Sequence, residues 1–447
     1  MSKDVDIQRK QVFEENFKVT LKAACTVGEG VLRLSAEEEE SAITSFDEIT
    51  SVPTFFIPAS GSGSRMFQFL FEWADRNNGE AKDDLNSVFE TLSKLAVAEN
   101  FLDNMDSVEE FTSKMLGNIA CKPKGLIPFH KSGKEVYTAF QEHVRQVKKL
   151  FPNSVNLHFT VQESFEEEIK ANIKELQEST AGVEISFSHQ NSLSDAHCFR
   201  SNRELFYEEG KELRRPSGHG TLLENLNALP GELVFIKNID NIQHETKAGE
   251  SMRVWKIAAG LLKNFEQELR DLAADYTQEG LRILNEKYEF LSKSEEGQFN
   301  EETLHQIISR PTRVCGMVKN EGEPGGGPFW IKDGEIVTKQ IIEKVQISED
   351  KDQQKIVEAS SHFNPVFMVV SKADIYGNPL NLNDFRDDSK FFVVKKTHKG
   401  EEVTYRELPG LWNGSMSNWN TLFLEIPSEV FSPVKTILDL AKPAHIA

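Results

Sequence analysis

The chain predicts an α/β fold on a mostly parallel sheet, and three observations carry that reading. From Pro53 onward, short apolar runs of strand length alternate with stretches of helical periodicity. The first run, Thr54-Phe-Phe-Ile57, stops abruptly in a loop of small residues, as strands of open α/β sheets do. A long helical block at 251–308 has strand-rich sequence on both sides, with no internal repeat and no low-complexity linker.

In order, residues 1 to about 45 are expected to form a helical appendage, interrupted by Thr26-Val-Gly-Glu-Gly30 and ending in the acidic run Glu37–Glu40, a solvated helix face. Strands are expected at Thr54–Ile57, Leu157–Val161, Val183–Phe187, Leu233–Lys237, Val314–Val318 and Phe391–Val394. Helices are expected at Met66–Asn77, Asp84–Glu99, Val136–Leu150 and Phe165–Gln177. In the 251–308 block, Trp255, Ile257, Leu261, Leu262, Phe265 and Leu269 recur at helical spacing and are assigned to core packing. The expected organisation is thus an appendage at 1–45 and one α/β domain at 46–447, with helical insertions at about 77–117 and 251–308.

Composition narrows the function classes. A length of 447 residues with 38 % hydrophobic content and 31 Phe provides a large, Phe-rich core. A net charge of −20 argues against a nucleic-acid partner, whose phosphates need a basic surface, while leaving room for a small anion in a locally basic cleft. Cys25, Cys121, Cys198 and Cys315 are dispersed with no Cys-x-x-Cys pair, which argues against a cysteine zinc site and for a reducing compartment. The start, Met1-Ser-Lys-Asp-Val-Asp6, has no apolar signal core, and no run approaches the length needed to cross a bilayer; a cytoplasmic location without membrane partners is expected.

Five segments carry candidate chemistry. Thr54-Phe-Phe-Ile-Pro-Ala-Ser-Gly-Ser-Gly-Ser-Arg-Met66 runs a strand into Ala59, Ser60, Gly61, Gly63 and Ser64, where backbone N–H groups can meet a polyphosphate without Cβ atoms in the way; Arg65 closes the loop with a cation. It lacks the Gly-Lys-Ser/Thr of a P-loop, and a plain glycine-rich turn fits it as well. In Lys122-Pro-Lys-Gly-Leu-Ile-Pro128, the prolines resist helix and present Lys124 in a set direction, either towards phosphate or as a solvated turn. Pro216-Ser-Gly218-His219-Gly220 before a helix start permits close approach of a flat ligand; His219 is read as positioning the loop or bonding a ligand rather than as a general base. Leu233-Val-Phe-Ile-Lys-Asn238-Ile-Asp240-Asn241 places a carboxylate at a strand end, suited to Mg²⁺ or to capping the next turn. Glu321 and Glu323 before Gly325, Gly326 and Gly327, with Phe329 and Trp330 behind them, suit a sugar or a tight hairpin, and Leu411–Thr421 has a similar polar and aromatic mix.

The order of these segments resembles the sugar-1-phosphate nucleotidyltransferases. Gly63-Ser-Arg-Met66 is similar to the Gly-Thr-Arg-Met of the bacterial members, and Pro123-Lys124-Gly-Leu-Ile-Pro128 to their Pro-Lys-x-Leu-x-Pro. Pro216-Ser-Gly-His-Gly220 and Asn238-Ile-Asp-Asn241 are similar to elements of the eukaryotic-type UDP-sugar pyrophosphorylases. Over nearly its whole length the chain resembles a bacterial family described as a domain of unknown function, in which Arg-Pro-x-Gly-His-Gly, Lys-Asn-Ile-Asp-Asn and Glu-Pro-Gly-Gly-Gly-Pro-Phe-Trp recur.

The resemblance implies a glycosyltransferase-A-like Rossmann mixed sheet with helices on both faces, binding a nucleoside triphosphate and a sugar phosphate. It implies that Arg65 and the loop amides of 59–64 hold the leaving pyrophosphate, that Lys124 neutralises phosphate charge, and that Gly218, His219 and Gly220 border the base. Asp240 would hold Mg²⁺, while Asn238, Glu323, Gly325 and Gly326 would face the sugar. The chain departs from those families at Pro58-Ala-Ser60 and at Thr221, which stands where the pyrophosphorylases have Asp, and it shows no clear second metal carboxylate. Two other functions on the same fold follow from those departures: a catalytically silent nucleotide or nucleotide-sugar binding protein, or a glycosyltransferase.

Overall fold

Runs dominated by Val, Ile, Leu and Phe and bounded by Pro, Gly or Asn do become strands, and helices with capped amino ends separate many of them. The computed structural model describes residues 3–15, 18–76, 89–99, 108–293, 296–322, 325–333 and 336–447. The chain divides into two units: residues 1–50, 190–234 and 256–426 form the first, and 51–189, 235–255 and 427–447 the second. It passes from the first to the second inside the strand Leu233–Lys237.

In the first unit the strand Thr312–Lys319 is buried along nearly its whole length. It pairs parallel with Asn420–Glu425 and antiparallel with Phe367–Ser371, and Asn420–Glu425 continues parallel to Gly30–Leu32. The sheet is therefore mixed, as the resemblance implies: Phe367–Ser371 enters reversed among largely parallel neighbours. Arg313 lies wholly buried within the central strand; its guanidinium donates to Thr421 Oγ1 (2.9 Å), the Trp412 carbonyl (2.8 Å) and Gln340 Oε1 (3.2 Å), which makes burial of the charge tolerable. A three-stranded antiparallel sheet joins Leu21–Ala24, Gly327–Asp333 and Ile336–Ile342. The amino-terminal stretch is thus only partly helical: helices Lys3–Phe13 and Ala36–Asp47 flank Leu21–Ala24, which pairs with Gly327–Asp333, and Gly30–Leu32, which pairs with Asn420–Glu425. Ala36–Asp47 starts at a Ser35–Glu38 capping box and crosses the helix Gly249–Ala274 at Gly260, where a Cβ would sit 1.7 Å from the Ala42 carbonyl oxygen. The apolar residues expected to pack in the 251–308 block are all buried.

In the second unit Thr54–Pro58 pairs parallel with Val155–Thr160, and Val155–Thr160 with Val183–Ser188; the helix Glu166–Ser179 makes the crossover between the last two. Phe55 stacks on Phe235 at 4.8 Å, and Trp255 meets Phe55 edge-on at 5.7 Å. Two expected elements differ. Val136–Thr138 is strand, because a Thr138–Gln141 capping box starts the helix at Ala139; Phe391–Val394 belongs to the first unit's hairpin of Phe392–His398 with Glu401–Glu407. Much of the expected helix Asp84–Glu99 and of the 77–117 insertion lies outside the described residues. No described helix is long and apolar enough to cross a membrane.

Candidate functional site

The glycine loop and the lysine segment are one structural device in the second unit. Ala59 N–H donates to the Thr160 carbonyl (2.8 Å), and the Ser60 carbonyl accepts from Gln162 Nε2 (2.6 Å), which anchors the loop to the end of the neighbouring strand. Gly63 N–H donates to the Lys122 carbonyl (2.9 Å) and Lys124 N–H to the Gly61 carbonyl (3.1 Å), so the loop and Lys122–Lys124 run side by side as a short antiparallel bridge. A Cβ on Gly63 would meet Ile127 Cδ1 at 2.6 Å and the Lys122 carbonyl oxygen at 2.9 Å, whereas one on Gly61 would meet nothing within 4 Å. Gly63 is there for packing, and Gly61 leaves open space. Ser64 and Arg65 follow in a 3₁₀ turn leading into the helix Gln68–Arg76. Arg65 is exposed and makes no side-chain hydrogen bond or ion pair with another described residue.

The bridge sets the direction of Lys124. Its ammonium donates to Asp240 Oδ2 (2.7 Å) and to the Val434 carbonyl (3.0 Å), with the Lys124 and Asp240 side chains 16 % and 20 % exposed. The carboxylate is held in turn by its own backbone, since Val434 N–H donates to the Asp240 carbonyl (3.0 Å) and Asn241 N–H to the Asn238 carbonyl (3.2 Å). One lysine N–H remains uncommitted. Asp240 offers a single carboxylate, already bonded to an ammonium, and among the described residues no three His, Cys, Asp or Glu side chains are grouped to hold a metal; Mg²⁺ there would draw its other oxygens from phosphate and water.

Two groups that sequence reasoning missed lie near this strand end. Lys237, the last strand residue, is 4 % exposed, and burial pulls its pKa down to about 8. His143 Nε2 meets the Ile239 carbonyl at 3.1 Å, and burial, then the nearby Lys237, pull it down to about 3, so it is neutral. A single Lys ending an apolar strand was the visible signal for Lys237; nothing local marks His143.

The remaining predicted residues lie in the first unit. Gly218 has φ +73°, and a Cβ there would strike the Glu407 carboxylate at 2.4 Å; a Cβ on Gly220 would strike the Pro409 carbonyl at 2.2 Å. His219 stacks on Trp412 at 4.1 Å, and its Nδ1 accepts from Leu411 N–H (3.0 Å), which leaves the proton on Nε2, 3.5 Å from Glu343 Oε1. His219 thus positions its loop. Glu343 lines a cavity of about 520 Å³ with Gly325 and Gly327 of the glycine run, next to Asn320 at the carboxyl end of Thr312–Lys319. Gly326 is packed: a Cβ there would meet Ile341 Cγ2 at 2.5 Å, and its carbonyl accepts from Asn364 N–H (2.9 Å). Glu323 lies outside the described residues. Within the second unit, then, Ala59–Gly63, Lys124 and Asp240 are linked through hydrogen bonds, and within the first the Gly-His-Gly segment meets the glycine-rich cavity through Glu343.

Comparison with solved structures finds a protein of Entamoeba histolytica described as a UDP-N-acetylglucosamine pyrophosphorylase (12 % identity, TM-score 0.45, covering 89 % of this chain and 80 % of that one). It also finds a UDP-glucose phosphorylase of Trypanosoma brucei (13 % identity, TM-score 0.42, covering 95 % and 69 %) and a UDP-glucose pyrophosphorylase complexed with UDP-glucose (10 % identity, TM-score 0.29, covering 72 % and 76 %). No curated protein matches the chain in sequence. A family model, Domain of unknown function (DUF4301), matches residues 1–446, and the chain belongs to that family, the one its Gly-His-Gly, Asn-Ile-Asp-Asn and Pro-Gly-Gly-Gly-Pro segments resemble.

Proposed function

We propose that this family member is a nucleotidyltransferase that joins a sugar 1-phosphate to a nucleoside triphosphate, giving a nucleotide sugar and pyrophosphate. The observation that supports this reading is the bridge between the glycine loop and Lys122–Lys124, which ties an open run of backbone amides to a directed ammonium. In the proposed reaction a phosphate oxygen of the sugar 1-phosphate attacks the α-phosphorus, the bond from that phosphorus to the bridging oxygen breaks, and pyrophosphate leaves. No side-chain nucleophile takes part; the chain orients the phosphates and stabilises charge. Lys124 carries the charge at the α-phosphate, and the exposed Arg65 with the Gly61 amide side of the loop holds the leaving pyrophosphate.

One observation favours a second reading, a nucleotide or nucleotide-sugar binding protein without turnover. Asp240 already neutralises Lys124. Pyrophosphate release, measured over a panel of nucleoside triphosphates and sugar 1-phosphates with and without Mg²⁺, separates the two. Release in any combination, lost in Lys124→Ala, supports the transferase. Saturable nucleotide binding without release supports the silent protein, and sugar transfer from a nucleotide sugar to an acceptor replaces both with a glycosyltransferase.

A further inference from the structure

We infer that the first unit holds a second ligand site, at the amino ends of the strands Thr312–Lys319 and Asn420–Glu425, that takes a small hydroxylated molecule carrying a carboxylate or phosphate. A cavity of about 350 Å³ opens there, within the range of small-molecule pockets and ample for a monosaccharide. It is separate from the glycine-rich cavity: Arg310, just before the central strand, lines this one, and Asn320, just after the strand, lines the other. The two share no lining residue.

The walls have unmet polar capacity. Trp419 is 4 % exposed and lines the cavity, yet its indole Nε1 is buried with no hydrogen-bond partner among the described residues. Thr338 Oγ1, also on the wall, is buried and unpartnered in the same sense. A buried donor left unmet is costly, so two on one cavity wall mark a place built to be filled by polar groups. Phe290 and Trp419 add aromatic faces of the kind on which sugar rings rest.

The charge on the wall is positive. Arg310 is partly buried; among the described residues its side chain donates only to Gln306 Oε1 (3.2 Å), and no carboxylate of theirs lies within ion-pair distance. Desolvation of the guanidinium lowers its pKa from the ordinary arginine value. Lys339, also on the wall, is held by the carbonyls of Gly30 (2.9 Å) and Glu289 (2.8 Å) and adds a second cation. Glu302, at the exposed rim, opposes them, and the Glu289 carboxylate, paired with Lys293, also acts on Lys339. A fork-shaped cation with an N–H and an O–H nearby recognises an oxyanion on a polyol better than a neutral sugar.

Isothermal titration of the full chain with glucuronate, glucose 6-phosphate and glucose tests this. Saturable binding is expected for glucuronate or glucose 6-phosphate, the pair telling carboxylate from phosphate, and glucose should bind at least about tenfold more weakly. Arg310→Gln should weaken the oxyanion probe by about tenfold or more. Trp419→Phe, which keeps the ring and removes the N–H, should weaken it several-fold. Lys124→Ala should leave this binding unchanged, which separates the site from the proposed transferase centre. Absence of saturable binding for both oxyanion probes overturns the inference, as does binding that both variants leave intact or that Lys124→Ala abolishes.

Discussion

Lys124 is the residue on which the proposed chemistry turns. Its backbone is fixed by the Gly61 carbonyl and its ammonium by Asp240 and Val434, so truncation removes charge without disturbing the bridge. Lys124→Ala should lower turnover by two to three decades, about 3–4 kcal/mol of transition-state stabilisation, with a smaller change in nucleotide affinity; steady-state kinetics beside calorimetry reads both. Asp240→Asn acts differently from loss of a turn cap, since it removes the charge partner of the ammonium and leaves it only neutral acceptors, the amide oxygen and the Val434 carbonyl. It should cost about 1 kcal/mol of stability, because the pair is partly solvated, and a urea melt measures it. Lys237 offers a pH test. Burial holds it at about 8 against an ordinary 10.5. Between those values the unfolded chain carries the extra proton, so stability rises with pH across about 8 to 10.5, and the full cost, about 3 kcal/mol, is present below pH 8. Lys237→Met should therefore be the more stable protein at pH 7 and should show a flatter profile in urea melts at pH 7 and 9.5. Lys372, also held at about 8, donates to the Leu226 and Leu229 carbonyls, so Lys372→Met should strand those acceptors and gain nothing.

The loop between the first strand of the second unit and its helix separates two kinds of glycine. Gly63→Ala pushes a methyl into Ile127 and the Lys122 backbone, so it should part the bridge and destabilise by about 1–3 kcal/mol. Gly61→Ala meets open space, so the thermal midpoint should hold while nucleotide affinity falls; equal affinity in Gly61→Ala and wild type would count against a phosphate at the loop. At this scale the sequence was informative where one signal dominates. Thr54–Pro58, Val183–Ser188 and Leu233–Lys237 are apolar runs with sharp ends, and they stand within a residue of expectation. The misses have a common cause: their pairing is supplied from far away. Phe367–Ser371 and Asn420–Glu425 become strands through Thr312–Lys319, and Gly30–Leu32 through Asn420–Glu425, none of which local propensity records. Val136–Thr138 was lost to the helical periodicity that continues from it. The candidate site was legible as motifs, because glycine, proline and lysine advertise backbone and charge locally. Glu343, His143 and the Lys124–Asp240 bond were not, since each depends on a contact between distant segments.

At the scale of the whole molecule, the charge of −20 predicts that the chain will not be retained on a nucleic-acid matrix at physiological ionic strength, and retention that falls with salt would show a basic face that composition conceals. Each unit is assembled from three separate stretches of chain, and this has a bearing on how the protein is made. The ribosome delivers residues 256–426, which complete the first unit, before residues 427–447, which the second unit still lacks. Lys124 can meet Asp240 early in synthesis, but the carbonyl that also holds it, that of Val434, is translated 310 residues after the lysine. The first unit begins first, and the second finishes last. Nascent chains stalled before residue 427 are therefore expected to resist protease across 256–426 while 51–189 stays open to cleavage, and early protection of 51–189 would mean that this stretch matures without its late-arriving partner.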